Sequence, residues 1–492
     1  MNSASSHILV VCEKPSMAQS IAAVLNAKQR GDGFLQGNGY IVSWCFGHLV
    51  ELAAADAYGE HLKRWALDTL PILPKQWQYK SSKDKAKQIA VLRKLMNRAD
   101  VESVVCATDA GREGELIFRL VYDYCNCTKP IQRLWISSLE DSAIRDGFAN
   151  LRPGADFENL YRAALCRSQA DWLVGINGTR LFSCLYRGAT LNVGRVQTPT
   201  LAMIVEREKA IAAFVSEAFY TPQIDCDGFI AVGERFGDFE AAAAVRVVAD
   251  GADAVVLSVE NTKKTASPPK LYDLTSLQRD ANKIFGFTAQ QTLDYTQSLY
   301  EAKRVTYPRT DSQFLTDDMA DTASAVINSL AEIFPFAHAF YFVPDISKVI
   351  DNSNVSDHHA IIPTLEAAKT DISALSTGER SILTLVAARL LCAVASVRKF
   401  ETATAILECG GHEFTANGKT VLDDGWRAID AAFRTSLKNK PDKNEEGEDC
   451  GALPKLAEGQ VFSDVTASIR EGKTAPPARF TEGTLLRAME LA

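Results

Sequence analysis

Tyr307 stands among cations and small hydroxyls in the string Lys303-Arg304-Val305-Thr306-Tyr307-Pro308-Arg309-Thr310-Asp311-Ser312. A free phenol has a pKa of about 10 and is a poor nucleophile at neutral pH, so covalent attack on a phosphodiester requires a cation beside it. Arg309 offers one, as a planar fork of donors that suits phosphate oxygens. Pro308 lacks an N–H and drives the residue before it out of the helical region, which predicts that Tyr307 lies where a helix gives way to an extended turn. Taken alone, a Tyr-Pro pair more often marks a buried tyrosine packed at a turn.

Acids form a second group. The β-branched run His7–Cys12 leads into Glu13-Lys14-Pro15-Ser16, after which Ile21, Val24 and Leu25 recur at helical spacing. The same strand–loop–helix order returns at Val104–Ala107, followed by Thr108-Asp109-Ala110-Gly111-Arg112-Glu113-Gly114-Glu115. Carboxylates this close repel one another unless a cation binds them, and a hard ion with oxygen ligands, Mg²⁺, suits them. In open α/β sheets, ligands gather at the carboxyl ends of strands, where both acidic loops would lie. The plain alternative is a strand end with a solvated Glu.

Asn192-Val193-Gly194-Arg195-Val196-Gln197 combines a glycine, a cation and amides that let a phosphate backbone approach closely. Arg167 and Asp171 are one helical turn apart and read as a surface pair. His48 reads as a partly buried histidine. Asp357, next to His358, is placed to raise the histidine pKa and favour the imidazolium.

The chain has 492 residues, enough for three or four domains, and at 47% hydrophobic content it can bury several cores. Its longest apolar run, Ile382 to Val397, is broken by Arg389 and too short to span a bilayer, so it predicts a buried helix. No signal peptide opens the chain, and a soluble, cytoplasmic protein is expected. Eleven scattered cysteines argue against a disulfide framework, and Cys125 and Cys127 are too close together for a zinc knuckle. A net charge of −8 requires that any cations meeting nucleic acid be gathered locally. Gly418-Lys419-Thr420 and Gly472-Lys473-Thr474 lack the earlier glycine of a phosphate loop, so no nucleoside triphosphate is expected. Phe214 to Ser267 and Thr402 to Asp424 alternate as strands do, the former with few helix signals, and 437–451 reads as a disordered loop.

Thr306 to Ser312 resembles the active-site box of type IA DNA topoisomerases, the topoisomerase III branch in particular. Trp44–Leu52, Arg162–Leu181, Asn192–Thr200, Ser356–Thr364 and Pro476–Glu482 resemble the same family in the same order. The acidic loops look like a Toprim domain. The resemblance implies a multidomain α/β plus α and β fold closing into a toroid. Its parts would be an N-terminal Rossmann-like Toprim domain at 1–155, a split helical base at 156–213, a β-rich arch at 214–268, a helical tyrosine domain at 269–400, a second arch part at 401–470 and a truncated second base part at 471–492.

By the same resemblance, Tyr307 attacks single-stranded DNA and forms a 5′-phosphotyrosyl link. A strand is then passed and the break religated without ATP, relaxing negative supercoils or separating catenated DNA. Arg309 and Lys14 would offset phosphoryl charge, Glu13 would protonate the leaving 3′ oxygen, and His358 would hydrogen-bond the scissile phosphate. Glu13, Asp109 and Glu113 would hold Mg²⁺. Gly111 stands where the family has a second Asp, which favours a single ion. His48, Arg167, Asp171, Asn192, Val193, Gly194, Arg195, Val196 and Gln197 would contact DNA. A monomer acting at the nucleoid is expected. The competing readings are a Toprim-type nuclease or primase, and a non-catalytic single-strand-binding remnant.

Overall fold

The computed structural model describes residues 6–81, 83–334, 336–337, 343–355, 357–437 and 451–492, so the loop expected at 437–451 lies almost wholly outside the described residues. The chain opens with β1 (His7–Cys12), α1 (Pro15–Val24), β2 (Gln29–Arg30), β3 (Phe34–Gly37) and β4 (Tyr40–Trp44). A small antiparallel pair, β5 (Val50–Leu52) and β6 (Tyr79–Ser81), precedes α2 (Ala86–Met96), β7 (Val101–Ala107), α3 (Arg112–Tyr124), β8 (Ile131–Arg133), α4 (Asp141–Ala149) and β9 (Arg152–Pro153). The sheet order is β2-β3-β4-β1-β7-β8-β9, with β4, β1, β7 and β8 parallel and the edges antiparallel.

β1 is a continuous apolar run because both of its faces are covered. Val10 and Cys12 enter one core, and Leu9 and Val11 enter the other. The first of these cores continues without interruption into Tyr300, Val305, Tyr307 and Ile361, so the sheet and the tyrosine region are packed as one body.

Helix α5 (Glu158–Leu185) runs along α3 and is followed by α6 (Gln197–Ala212). A second sheet then begins with β10 (Ala218–Asp225), β11 (Ile230–Val232), α7 (Phe239–Ala249) and β12 (Ala254–Ala266). Helix α7 corrects the expectation of few helix signals between 214 and 267. Asp238 caps it by accepting the Ala241 N–H at 3.1 Å, an alanine run favours it, and Ala242, Val245 and Ala249 bury its inner face.

The chain next enters α8 (Leu274–Phe285), α9 (Ala289–Glu301), α10 (Ala320–Ile333), α11 (Leu365–Ala368) and α12 (Thr377–Ala393). Capping boxes at Asp273, Thr288 and Ser376 start α8, α9 and α12, and α12 carries the long apolar run as a buried helix. β13 (Arg398–Cys409), β14 (His412–Asp423), α13 (Trp426–Ser436), β15 (Val461–Phe462) and β16 (Thr466–Lys473) return to the second sheet. That sheet is antiparallel throughout, in the order β15-β12-β13-β14-β11-β10-β16. Helix α14 (Glu482–Glu490) packs on α8, where the Gly483 N–H donates to Asn282 Oδ1 at 3.1 Å. Among the described residues no helix is long and apolar enough to cross a membrane.

Candidate active site

Because β1 and β7 are adjacent and parallel, their carboxyl ends bring Glu13 and Asp109 side by side. Burial pushes Asp109 up to about 7, and the neighbouring Glu13 adds to that rise. Burial also raises Glu13, against the opposing pull of Lys14. Two poorly screened carboxylates at adjoining strand ends are a donor set that fits a hard dication.

Glu113, in the first turn of α3, is instead bonded to His48 Nε2, and that bond lowers its pKa. Among the described residues no three acid, His or Cys side chains gather closely enough to hold an ion. The expected three-acid set is therefore two acids together and a third committed to histidine. Gly111 occupies the cap of α3 with φ +153°, a conformation that strains any residue with a Cβ, although the space there is open. A second Asp at that position would be disfavoured by the backbone.

The acidic loop is held from beneath by a residue that the sequence reading missed. Arg133 ends β8, is 1% exposed, and donates to the carbonyls of Cys106 (3.0 Å), Thr108 (2.8 Å), Leu134 (2.7 Å) and Asp109 (2.7 Å). Its Nε lies 3.1 Å from Glu115 Oε2 as an ion pair without hydrogen-bond alignment. Arg119 Nε donates to the other oxygen of Glu115 at 2.9 Å. The signal in the sequence is a lone arginine inside the apolar run Ile131–Ile136.

Tyr307 follows α9 by six residues, after a left-handed Lys303 with φ +62°. Two strings singled out in the sequence are joined here. The Thr306 hydroxyl donates to the Ala360 carbonyl at 3.0 Å and the Thr310 hydroxyl to the His358 carbonyl at 2.8 Å. The Tyr307 ring is 8% exposed, lies 4.3 Å from the His358 ring centroid and meets Tyr300 edge-on at 5.4 Å. Burial and the nearby carboxyls of Asp109 and Glu13 hold the phenol well above its ordinary range, and Arg309 opposes them. Arg309 itself is exposed at the mouth of a cleft of about 620 Å³, shared with Glu113, Arg167, Tyr307, Asp357 and His358.

One expectation is corrected. His358 is not held as a cation: burial lowers its pKa to about 4, and desolvation outweighs any help from neighbouring acids. Lys14 is bound to Glu301 at the end of α9, Nζ to Oε1 2.9 Å, with Ser16 on the second oxygen at 3.0 Å. Its charge is therefore already paired across the seam between the sheet and the tyrosine region.

A second groove, of about 710 Å³, runs between α5 and the segment 54–65, and Asp171, Asn192, Val193 and Gln197 line it with Trp65 and Arg180. Asp171 bridges to Arg195, Nε to Oδ1 2.6 Å, and not to Arg167 as the helical spacing suggested. That bridge ties α5 to the loop before α6. Val193 and Gly194 are pinned by N–H bonds to Thr179 (2.9 Å) and Thr198 (3.1 Å), while Val196 is exposed. Arg167 instead faces the first cleft, where its charge helps to lower the pKa of Glu113.

Comparison with known proteins agrees with this arrangement. A family model described as "Toprim domain" matches residues 8–139, and one described as "DNA topoisomerase" matches 155–492. The chain is 42% identical over 501 residues to DNA topoisomerase 3 of Bacillus subtilis, covering 99% of this chain and 67% of the relative. It is likewise 42% identical over 498 residues to DNA topoisomerase 3 of Bacillus licheniformis, covering 99% and 67%. Full-length topoisomerase I from Thermotoga maritima shares the fold, with a TM-score of 0.72 at 24% identity over 98% of this chain and 75% of that one. The chain spans about two thirds of the length of its two Bacillus relatives. With a Toprim sheet, an antiparallel second sheet and a helical tyrosine region in one chain, it belongs to the type IA DNA topoisomerase family.

Proposed function

We propose that Tyr307 cleaves single-stranded DNA by attacking a phosphodiester. The observation that carries this reading is the contact of its phenol with Asp109 at the strand ends, beside Glu13 and under the mouth that Arg309 guards. The phenol is protonated in the free protein, so its proton must leave as the new bond forms. Asp109, the carboxyl that acts most strongly on the phenol, is the acceptor. The O–P bond to Tyr307 forms while the P–O3′ bond breaks. Glu13, whose buried carboxyl favours the protonated form, gives its proton to the 3′ oxygen. The products are a 5′-phosphotyrosyl link and a free 3′-hydroxyl, and religation is the same step reversed. Arg309 offsets charge growing on the phosphoryl oxygens, and His358, neutral, can donate its single N–H to them once that proton leaves the Ala110 carbonyl.

Mg²⁺ is the dication we assign to Glu13 and Asp109 when both are ionised, a state distinct from the protonated Glu13 that begins cleavage, with Glu113 able to join on leaving His48. When bound, it would screen the carboxylates and attract phosphate. The folded value for Asp109 of about 7 exceeds an unfolded value of about 3.9, so the metal-free fold holds more protons than the unfolded chain between those limits. Its stability therefore falls as pH rises from about 4 to 7. Melting curves with and without MgCl₂ are expected to separate more at pH 8 than at pH 5. Equal separation at both would remove the cation from this pair.

The groove along α5 is our choice for the single strand, which would continue into the first cleft past Arg167 and the His48 bonded to Glu113. The architecture reads as a ring of Toprim domain, split base, arch and tyrosine domain, which opens to pass a strand. That ring would relax negative supercoils or separate catenated molecules in the bacterial cytoplasm. Labelled single-stranded DNA incubated with the protein and then denatured tests the reading. A covalent adduct supports it, and shorter strands without an adduct mean a nuclease. Arg309→Lys is expected to lower adduct formation about a hundredfold with DNA binding kept, because a point charge does not reproduce the planar fork. Full activity in that variant would reduce Arg309 to packing.

A further inference from the structure

The segment after β8 meets the tyrosine region through two atoms of one residue. The Ser137 carbonyl accepts the Tyr307 N–H at 3.1 Å, and the Ser137 hydroxyl lies 3.0 Å from His358 Nδ1. The other ring nitrogen, Nε2, meets the Ala110 carbonyl, which can only accept. The ring proton is therefore on Nε2, and Nδ1 accepts from the Ser137 hydroxyl. His358 is thereby held at both ends, by the acidic loop on one side and by Ser137 on the other.

The plane of the ring is fixed as well. Trp135 lies nearly parallel to it, at 10° and 6.2 Å between centroids, and is itself stacked on Phe157 at 5.0 Å. Trp135 Nε1 donates to the Asp357 carbonyl at 3.3 Å, next to His358 in the chain. Tyr307 also packs on the histidine, its ring tilted by 40° at 4.3 Å. Among the hydrogen bonds of the described residues, those of Ser137 and Trp135 go to His358, to the Tyr307 N–H and to the Asp357 carbonyl, and none goes to Glu13 or Asp109.

The geometry points to Ser137 as a positioning residue for DNA cleavage, orienting the His358 ring and the Tyr307 backbone together, with Trp135 setting the plane. This rests on the reading of Tyr307 as the nucleophile. The bond to the Tyr307 N–H uses a main-chain carbonyl and survives substitution, whereas the hydroxyl bond to His358 is removed by alanine. Without that bond the ring is free to turn, and neither its packing on Tyr307 nor the direction of its Nε2 proton is held, which lowers the rate of the bound complex and leaves DNA binding alone.

Ser137→Ala is expected to form adduct about tenfold more slowly at saturating single-stranded DNA, the loss of one net hydrogen bond, with the DNA dissociation constant unchanged within about twofold. Ser137→Thr, which restores the hydroxyl, is expected to recover most of the rate, and Trp135→Phe, which keeps a stacking plane, to cleave near the wild-type rate. Three results would overturn the proposal: a wild-type rate for Ser137→Ala, a loss carried by weaker DNA binding, or a Ser137→Thr protein as slow as Ser137→Ala. Tyr307→Phe assayed beside them separates the two levels. Adduct in that variant overturns the nucleophile itself, while its absence with Ser137→Ala at full rate overturns only the positioning role.

Discussion

Tyr307→Phe is expected to bind single-stranded DNA as tightly as the wild type and to form no denaturation-resistant adduct. The ring is 8% exposed and packed between His358 and Tyr300, and phenylalanine keeps both contacts. What is lost is the oxygen beside Asp109. The fold should tolerate that loss, because the hydroxyl lies beside a carboxylate raised by burial, and removing a phenol from a crowded acid pair relieves one buried polar group. Adduct formation is expected to drop below detection, at least about 10⁴-fold, since phenylalanine has no oxygen to bond phosphorus and the Thr310 hydroxyl, beside Arg309 in the same cleft, is donated to the His358 carbonyl. Gel retardation before denaturation and autoradiography after it read the two properties separately. Retained adduct would mean that another residue makes the link; lost retardation would mean that the ring helps to bind DNA.

The parts of this site that were legible in the sequence are those with local chemistry. A strand ending in an acid, a proline after a tyrosine and a cation within two residues each have a short-range physical meaning, and they located Glu13, Asp109, Tyr307 and Arg309. What stayed hidden depends on who faces whom. The partner of Lys14 was hidden because nothing in its neighbourhood shows that Glu301, far along the chain, lies 2.9 Å away. Asp357 read as a reason for a charged His358, yet the ring is 2% exposed and desolvation decides its state. Asp171 had two arginines to choose from, and the local spacing favoured the wrong one. Helix α7 was obscured by short apolar runs around it, although its Asp238 cap and alanine run were present to be read.

The shared core explains why the site is so compact. Tyr307 reaches Asp109 only while the tyrosine region is packed on the first sheet, and that contact is made by buried apolar side chains together with a few polar links. Lys14 to Glu301, Lys303 to Asp141, Tyr307 to Ser137 and His358 to Ala110 all cross the same seam. Half-exposed ion pairs such as the first two each contribute little. Holding the seam shut is therefore mainly the task of the apolar contacts, and its polar links serve registration. An enzyme that must separate these surfaces to pass a strand gains from links that are specific in position and individually weak.

Arg133→Leu is expected to have the largest effect on stability. The guanidinium is 1% exposed, as is Glu115 beside it, so the substitution leaves a buried carboxylate paired on one side only, by Arg119. The carbonyls of Thr108 and Asp109 in the acidic loop and of Leu134 after β8 lose the guanidinium as donor at the same time, while that of Cys106 keeps the Leu134 N–H. Breaking a buried ion pair by removing one partner costs about 3–5 kcal/mol, which for a unit the size of the first sheet and its helices lowers the melting temperature by on the order of 10 °C. The double variant Arg133→Leu, Glu115→Leu separates the two causes. Removing both charges is expected to recover most of the melting temperature, because an apolar pair of similar volume replaces a buried ion pair at little cost. Cleavage is expected to stay low in the double variant, since the Thr108 and Asp109 carbonyls still lack their donor and Asp109 is no longer held against Glu13. A single variant that melts within about 2 °C of the wild type would show that Arg119 and buried water suffice for Glu115. A double variant with wild-type cleavage would show that the acidic loop keeps its shape without the arginine beneath it.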